Sequence, residues 1–379
     1  MDLRDSPDEA AFRARARAWL AEAVPAVDDP AAARARWFDR DFLTTYARRL
    51  HAAGYAGLGW PVEYGGRGLP LGHQAIFLEE SARRGATEQA GVIGLGMVGP
   101  TVVAWGTPAQ RARYLPGIMR GDLLFCQGFS EAEAGSDLAA VATTARIDAD
   151  AYVVDGQKLW SSYAAVADHC LLLARTGGQR HRGLTCLLVD LRTPGVTVRP
   201  LRQITGRADF AEISFDGARV PAGAVLGEPG DGFRVAMTTL AHERGTFGFT
   251  LTARLEEHLR QFVALLRASP LADDPGVRDR LATVWTDLTA LRWTNLRLLA
   301  ELAEGGEPGP RTSVVKLLWS QANQRLAHLG AEVAAADEHA TALWRDRLLR
   351  SRGNTIEGGT SEVLRDVLAE RVLGLPRSR

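Results

Sequence analysis

Cysteine is scarce in this chain: Cys126, Cys170 and Cys186 are the three in 379 residues. They are too few and too scattered for a disulfide framework or a paired-cysteine metal knuckle. The eight histidines form no His-Glu-x-x-His and no paired His/Cys spacing, so no structural zinc is expected. An excess of either charge is also missing. Lys+Arg and Asp+Glu both number 45, whereas a nucleic-acid binder normally carries a basic surplus. No apolar run approaches the roughly 20 residues of a membrane span. Met1-Asp2-Leu3-Arg4-Asp5 lacks the basic start and apolar stretch of a signal peptide. The expectation is a cytoplasmic protein with neither nucleic-acid nor membrane partners.

Glycine, by contrast, is plentiful, at 39 residues against a usual share near 7 %. Glycine sits where the backbone turns with positive φ or approaches something closely, so some of these residues should mark a ligand.

Three regions follow one another. Residues 1–121 read as helical. Phe42, Leu43, Tyr46 and Leu50 share one helical face, Gly54 supplies a stop, and His73 to Arg84 is helical again. Residues 122–230 change character. Short apolar runs at Leu123–Phe129, Tyr152–Val154, Cys170–Leu173, Leu184–Val189 and Val196–Val198 alternate with turn signals, which suggests an antiparallel sheet or barrel. Residues 231–379 return to helix. Val277, Leu281, Val284, Leu288 and Leu291 form a bundle-type seam, a break falls at 305–310, and another long helix begins at Ser313. Thr360 is suited to cap a last helix whose face is Val363, Leu364, Val367 and Leu368. The fold class is α+β with segregated elements.

Four glycine-bearing or aromatic segments could carry chemistry. Gly94-Leu-Gly-Met-Val-Gly99 fits a dinucleotide fingerprint in letters only, because no strand precedes it and no βαβ alternation surrounds it. It reads as a loop between helices. Gly128 to Asp137 mixes Gly135 with hydroxyls and carboxylates after a strand, and its N–H groups could bind a phosphate or a ring edge, or could form a solvated turn. Lys158-Leu-Trp-Ser-Ser162 could stack on and hydrogen-bond to a flat cofactor, or simply cap a sheet. Thr355-Ile-Glu-Gly-Gly-Thr-Ser-Glu362 joins two glycines to a helix start, where anions are stabilised.

Taken together, these segments resemble the acyl-CoA dehydrogenase family over essentially the whole chain. Ser130-Glu131-x-x-Ala-Gly-Ser-Asp137 is similar to that family's first signature, with Phe129 in place of the usual aliphatic residue. Gly65-Gly66, the stretch ending at Thr101, and Arg371-Val-Leu-Gly-Leu-Pro376 also match bacterial members. The resemblance implies an N-terminal helical domain, a central antiparallel β-barrel or sandwich and a C-terminal four-helix bundle. It implies FAD, lined by Gln127, Phe129, Ser130, Gly135 and Ser136, with Trp160, Ser161 and Ser162 at the ring. Gly359, Thr360 and Glu362 would form a second cofactor segment, often given by a neighbouring subunit. Ser136 and Arg244 match positions that contact the CoA portion of substrate.

The implied reaction is α,β-dehydrogenation of an acyl thioester. A base removes a C2 proton while hydride passes from C3 to the flavin N5. An acyl-CoA or acyl-carrier-protein thioester is the implied substrate and an electron-transfer flavoprotein the implied acceptor. A homodimer or homotetramer is expected, with a hetero-oligomer as the alternative. Many members place Glu immediately before Gly-Thr-Ser, but Gly358 stands there in this chain. Leu240-Ala-His-Glu243-Arg244 fits the context of members whose base lies on the first C-terminal helix, so Glu243 is the expected base and Glu357 its rival. The usual Arg-x-x-Phe-Gly stretch is replaced by Pro270-Leu-Ala-Asp-Asp-Pro-Gly276, which points to altered FAD binding or a partner chain. A flavin monooxygenase and a non-catalytic partner subunit remain as alternatives.

Overall fold

A computed structural model describes residues 4–27, 30–86, 92–304, 309–336 and 338–377, with the side chains of 30, 31, 243–247, 336 and 339 outside that description. The first region holds α1 (Pro7–Ala23), α2 (Pro30–Ala35), α3 (Arg40–Ala52), α4 (Leu71–Arg83), α5 (Gly99–Trp105) and α6 (Pro108–Arg120). Local chemistry sets their ends. Ser6 accepts from the Glu9 N–H while Glu9 accepts from the Ser6 N–H, a reciprocal cap on α1, and Thr107 with Gln110 does the same for α6.

The strands are β1 (Phe125–Gly128), β2 (Thr144–Asp148), β3 (Ala151–Ser162), β4 (His169–Arg175), β5 (Leu184–Asp190), β6 (Val196–Leu201), β7 (Phe210–Pro221) and β8 (Val225–Leu226). They form one sheet in the order β6-β7-β3-β2-β4-β5-β8, with β1 attached to β4. Most pairs are antiparallel, as expected. β1 departs from the expectation by running parallel to β4, with Cys126 opposite Cys170. No local pattern in β1 encodes that direction, and β2 also meets β4 in parallel, at Thr144 opposite Arg175. β4 and β5 are buried at six successive positions, which accounts for their continuous apolar spelling.

The last region contains α7 (Gly232–Arg267), α8 (Pro275–Ala303), α9 (Ser313–Val333), α10 (Glu338–Asn354) and α11 (Ser361–Arg371). One core joins α7 (Leu255, Phe262), α8 (Val284, Leu291), α9 (Trp319, Leu326) and α10 (Trp344), the four-helix arrangement implied by the resemblance. The expected break at 305–310 falls largely on residues 305–308, outside the described residues. Where Arg-x-x-Phe-Gly was missing, Pro270–Asp273 makes a short turn, and Asp274 caps α8 by accepting from the Val277 N–H at 2.9 Å.

By packing, the chain sorts into two compact units that do not follow chain order. One comprises residues 1–30, 69–87 and 244–379. In it, α1 and α4 lie with the bundle, and the Glu80 carboxylate, 3 % exposed, receives Arg13, Arg17 and Arg83. The other comprises residues 31–68 and 88–243 and contains the sheet.

The glycine-rich stretch from Gly94 is corrected by the structure. It is a π-helical turn that leads directly into α5, where a loop was expected. Close packing accounts for two of its three glycines: a methyl at Gly99 would overlap the Trp60 indole, and one at Gly94 would crowd Ile118, while nothing stands near Gly96.

Candidate active site

Within the sheet-bearing unit, two of the sequence-predicted segments are bound to each other. β1 delivers Gln127, and the chain then turns through Phe129 and Ser130. The Ser130 carbonyl accepts from the Leu159 N–H on β3 at 2.9 Å. One residue earlier, Lys158 reaches back: its Nζ donates to the Phe129 carbonyl at 3.0 Å and to Glu131 Oε1 at 2.7 Å. Glu131 also accepts from the backbone N–H groups of Ala142 at 2.6 Å and Thr143 at 2.9 Å.

Burial alone would raise the Glu131 carboxyl, but Lys158 and these N–H donors bring it below its usual value. Burial lowers the Lys158 ammonium despite the opposing pull of Glu131. Both stand inside segments picked out from sequence, but neither was given a role or paired with the other. Their separation of 27 positions hides the pair, and the only local signal is a lysine inside a strand.

Lys158–Ser162 lies on β3, because pairing with β7 extends the strand: Ser161 stands opposite Ala211 and Ser162 opposite Phe210. A bulge between Lys158 and Ser161 places Trp160 at φ +61° with its ring 59 % exposed. A tryptophan in the left-handed region stores strain that packing must hold. The bulge turns an aromatic face outward beside the Phe129–Ser130 turn. Trp160 meets Phe210 edge-on at 6.1 Å. Gly135 and Ser136 are exposed, and no protein atom stands within 4 Å of where a Gly135 side chain would begin. Glycine there is not required by the packing of this chain.

The other predicted segment belongs to the bundle-bearing unit. Gly358 and Gly359 adopt φ +61° and +98°. Thr360 caps α11 by accepting from the Val363 N–H at 3.2 Å, as the sequence predicted. The backbone N–H of Glu362 and the Thr360 hydroxyl hold the Glu362 carboxyl below its usual range, as expected at the positive end of a helix. Lys316 on α9 donates to the Gly359 carbonyl at 2.6 Å.

The two candidate bases differ in what is described. Glu357 is fully engaged: Asn354 Nδ2 donates to its Oε1 at 2.6 Å and Arg350 to its Oε2 at 2.7 Å. Glu243 lies on α7, as does Arg244, and the side chains of both are outside the described residues.

Each unit, taken by itself, carries residues that fit part of a flavin nucleotide: Gln127 and Ser161 in the sheet-bearing unit, Ser361 in the bundle-bearing one. Gln127 Nε2, Ser161 Oγ and Ser361 Oγ are buried polar atoms without a protein partner. Such groups are costly to leave unpaired, and all three occur in the segments predicted to line the cofactor.

Comparison with known proteins matches every part of the chain in order. Residues 6–122 match the acyl-CoA dehydrogenase N-terminal domain, 126–218 the middle domain and 230–373 the C-terminal domain. The chain belongs to the acyl-CoA dehydrogenase family. Acyl-CoA dehydrogenase IpdE1 of Mycobacterium tuberculosis is 43 % identical over 97 % of both chains. A solved structure named "Tcur3481-Tcur3483 steroid ACAD" superposes with a TM-score of 0.89 at 29 % identity over the whole of both chains. The ChsE4-ChsE5 complex from Mycobacterium tuberculosis gives 0.87 at 29 % identity, again over the whole of both. As in this acyl-CoA dehydrogenase's relatives, helical regions flank a central sheet. No helix of the described residues is long and apolar enough to cross a membrane.

Proposed function

We propose that this acyl-CoA dehydrogenase is an FAD enzyme that forms the α,β double bond of an acyl-CoA thioester. The observation that carries the reading is the coincidence of three partnerless buried polar atoms with the cofactor segments. When bound, FAD supplies the acceptor for a hydride equivalent. Gln127, Phe129, Ser130, Gly135 and Ser136 hold it, together with Trp160, Ser161 and Ser162. Gly359, Thr360 and Glu362 contribute from α11's start, serving the cofactor of a neighbouring subunit. Ser136 and Arg244 bind the phosphorylated CoA portion, where a guanidinium suits phosphate oxygens.

Glu243 takes the C2 proton. A C–H acid so weak requires a desolvated carboxylate whose pKa has been raised toward working pH. Glu357 is poorly suited to that task because an arginine and an amide already occupy both its oxygens. The name of one solved relative, the Tcur3481-Tcur3483 steroid ACAD, favours a steroid-derived acyl group over a simple fatty acyl chain. Two of the solved relatives are named as assemblies of two chains, and Pro270–Gly276 replaces the usual arginine stretch. Both support an assembly with an unlike partner. Electrons then leave for an electron-transfer flavoprotein. The three-part division at 121/122 and 230/231 is proposed as the order of the functional segments.

Anaerobic addition of acyl-CoA to the yellow protein tests this reading. We expect bleaching of the flavin band, faster with steroid-derived than with straight-chain thioesters. Glu243→Gln should slow it by about 100-fold or more, the range of a lost general base, and Glu357→Gln by only a few-fold. Equal bleaching rates in wild type and Glu243→Gln would sink the base assignment. Protein that stays colourless with added FAD, alone and with its partner chain, would sink the cofactor.

A further inference from the structure

This chain builds its positive charge almost wholly from arginine. Of 45 Lys and Arg residues, two are lysine, Lys158 and Lys316. Both end on backbone carbonyls of the cofactor segments. Lys158, with no exposed side-chain surface, donates to the Phe129 carbonyl and pairs with Glu131. Lys316 donates to the Gly359 carbonyl.

The two attachment points share a local logic. Phe129 precedes the turn at Ser130, and Lys158 stands two residues before the strained Trp160. The Phe129 and Ser130 carbonyls are thus both tied to β3 where the bulge begins. Gly359 closes a pair of left-handed glycines and immediately precedes the cap of α11. Glycines have the widest backbone freedom, so the direction of the α11 N-terminus depends on what fixes that pair. An ammonium on a flexible stem is a compact donor that can converge on a carbonyl in a confined place. A guanidinium is planar and brings five N–H groups, and for Lys158 the acceptors in reach are Phe129 O and Glu131 Oε1.

We propose that Lys158 and Lys316 are positioning residues that hold the backbone of the two FAD segments in their binding geometry. The proposal rests on the FAD reading above. It predicts that loss of either lysine loosens the cofactor without a matching loss of fold.

The test uses the full chain in the assembly in which it purifies. Wild type, Lys316→Met and Lys316→Arg are compared by melting temperature, by the FAD dissociation constant from flavin fluorescence and by the shape of the flavin visible bands. Amide exchange of residues 358–363 completes the set. Lys158→Met is run in parallel, and because it can fail to fold, Lys316 carries the decision. For Lys316→Met we expect FAD binding weakened by about tenfold or more, altered flavin bands and faster exchange at 358–363. Its melting temperature should stay within a few degrees of wild type, and Lys316→Arg should fall between the two. FAD binding within threefold of wild type would overturn the proposal. So would a loss of affinity that only parallels a loss of melting temperature. Wild type that binds no FAD would instead overturn the cofactor reading on which the proposal stands.

Discussion

Replacing Glu131 by glutamine removes one charge from a buried pair and leaves the Lys158 ammonium unbalanced. The lysine side chain has no exposed surface and the glutamate about a tenth. Glutamine is isosteric, so no cavity forms, but its single oxygen can replace Oε1, which serves Thr143 N–H and Lys158, or Oε2, which serves Ala142 N–H, and not both. The penalty has a ceiling, because the ammonium can escape by losing its proton. From an unfolded pKa near 10.4, that escape costs about 4.6 kcal/mol at pH 7 and about 1.9 kcal/mol at pH 9. Removing one partner of a buried pair typically costs about 3–5 kcal/mol. We therefore expect the charge-dependent loss in Glu131→Gln to be about 3–4.5 kcal/mol at pH 7 and no more than about 2 kcal/mol at pH 9, on top of a pH-independent cost of about 1–3 kcal/mol for the N–H left without its acceptor. The sign follows from proton counting. Burial already lowers the folded Lys158 pKa and Glu131 opposes that fall. Without Glu131 the pKa falls further, the unfolded chain binds the extra proton, and the variant gains on wild type as pH rises. Urea unfolding of both proteins at pH 7, 8 and 9 reads the difference directly. A second substitution, Lys158→Met, should return most of the lost stability. A penalty that does not shrink with pH, or one below about 1 kcal/mol at pH 7, would refute the buried ion pair.

Three further outcomes follow from single contacts. Trp160→Gly should be more stable than Trp160→Ala by about 1–2 kcal/mol, since φ +61° strains any L-residue; calorimetry of the two variants checks this, and equal stability would mean the bulge relaxes. Gly330→Ala should destabilise despite a helix-propensity gain of about 1 kcal/mol. The new methyl overlaps the buried Trp344 ring between α9 and α10, and overpacking costs about 1–3 kcal/mol, so a rise in the urea midpoint would contradict the packing described. Asn295→Ala should cost about 1–3 kcal/mol, because the buried amide donates to the Gly248 carbonyl at 3.0 Å and to Thr252 Oγ1 at 2.6 Å; thermal unfolding of the full chain measures it.

The parts of this protein that were legible in its sequence are those written in local periodicity. Val284, Leu288 and Leu291 mark the buried face of α8 by spacing alone, and Thr360 marks its helix by chemistry at one position. The illegible parts depend on residues far apart in the chain. β1 runs parallel to β4, whose partner residues begin at His169. The true length of β3 is set by β7, whose partner residues begin near position 210. The three glycines from Gly94 look like a nucleotide fingerprint, yet the first and last of them answer to Ile118 and Trp60, which lie outside any local window. Lys158 and Glu131 are invisible for the same reason: each is an ordinary letter until the fold brings their atoms to 2.7 Å.

Gly358 shows how an absence in sequence gains content from structure. As a letter it is only a missing glutamate. In the fold it occupies the left-handed region at φ +61°, followed by Gly359 at +98°. A side chain at 358 would add strain of about 1–2 kcal/mol, so this backbone is built for glycine. The neighbouring carboxylate, Glu357, is consumed by Arg350 and Asn354 at the end of α10. The loop therefore has no carboxylate free for proton transfer at either position. On the proposed reaction the base is sought on another element, where a helix places a catalytic group better than a loop does. Glu243 lies within the 36-residue helix α7, directly before the arginine expected to meet CoA. The two substitutions at Glu243 and Glu357 thus test one idea: that the proton-abstracting role belongs to a helix and not to the loop before α11.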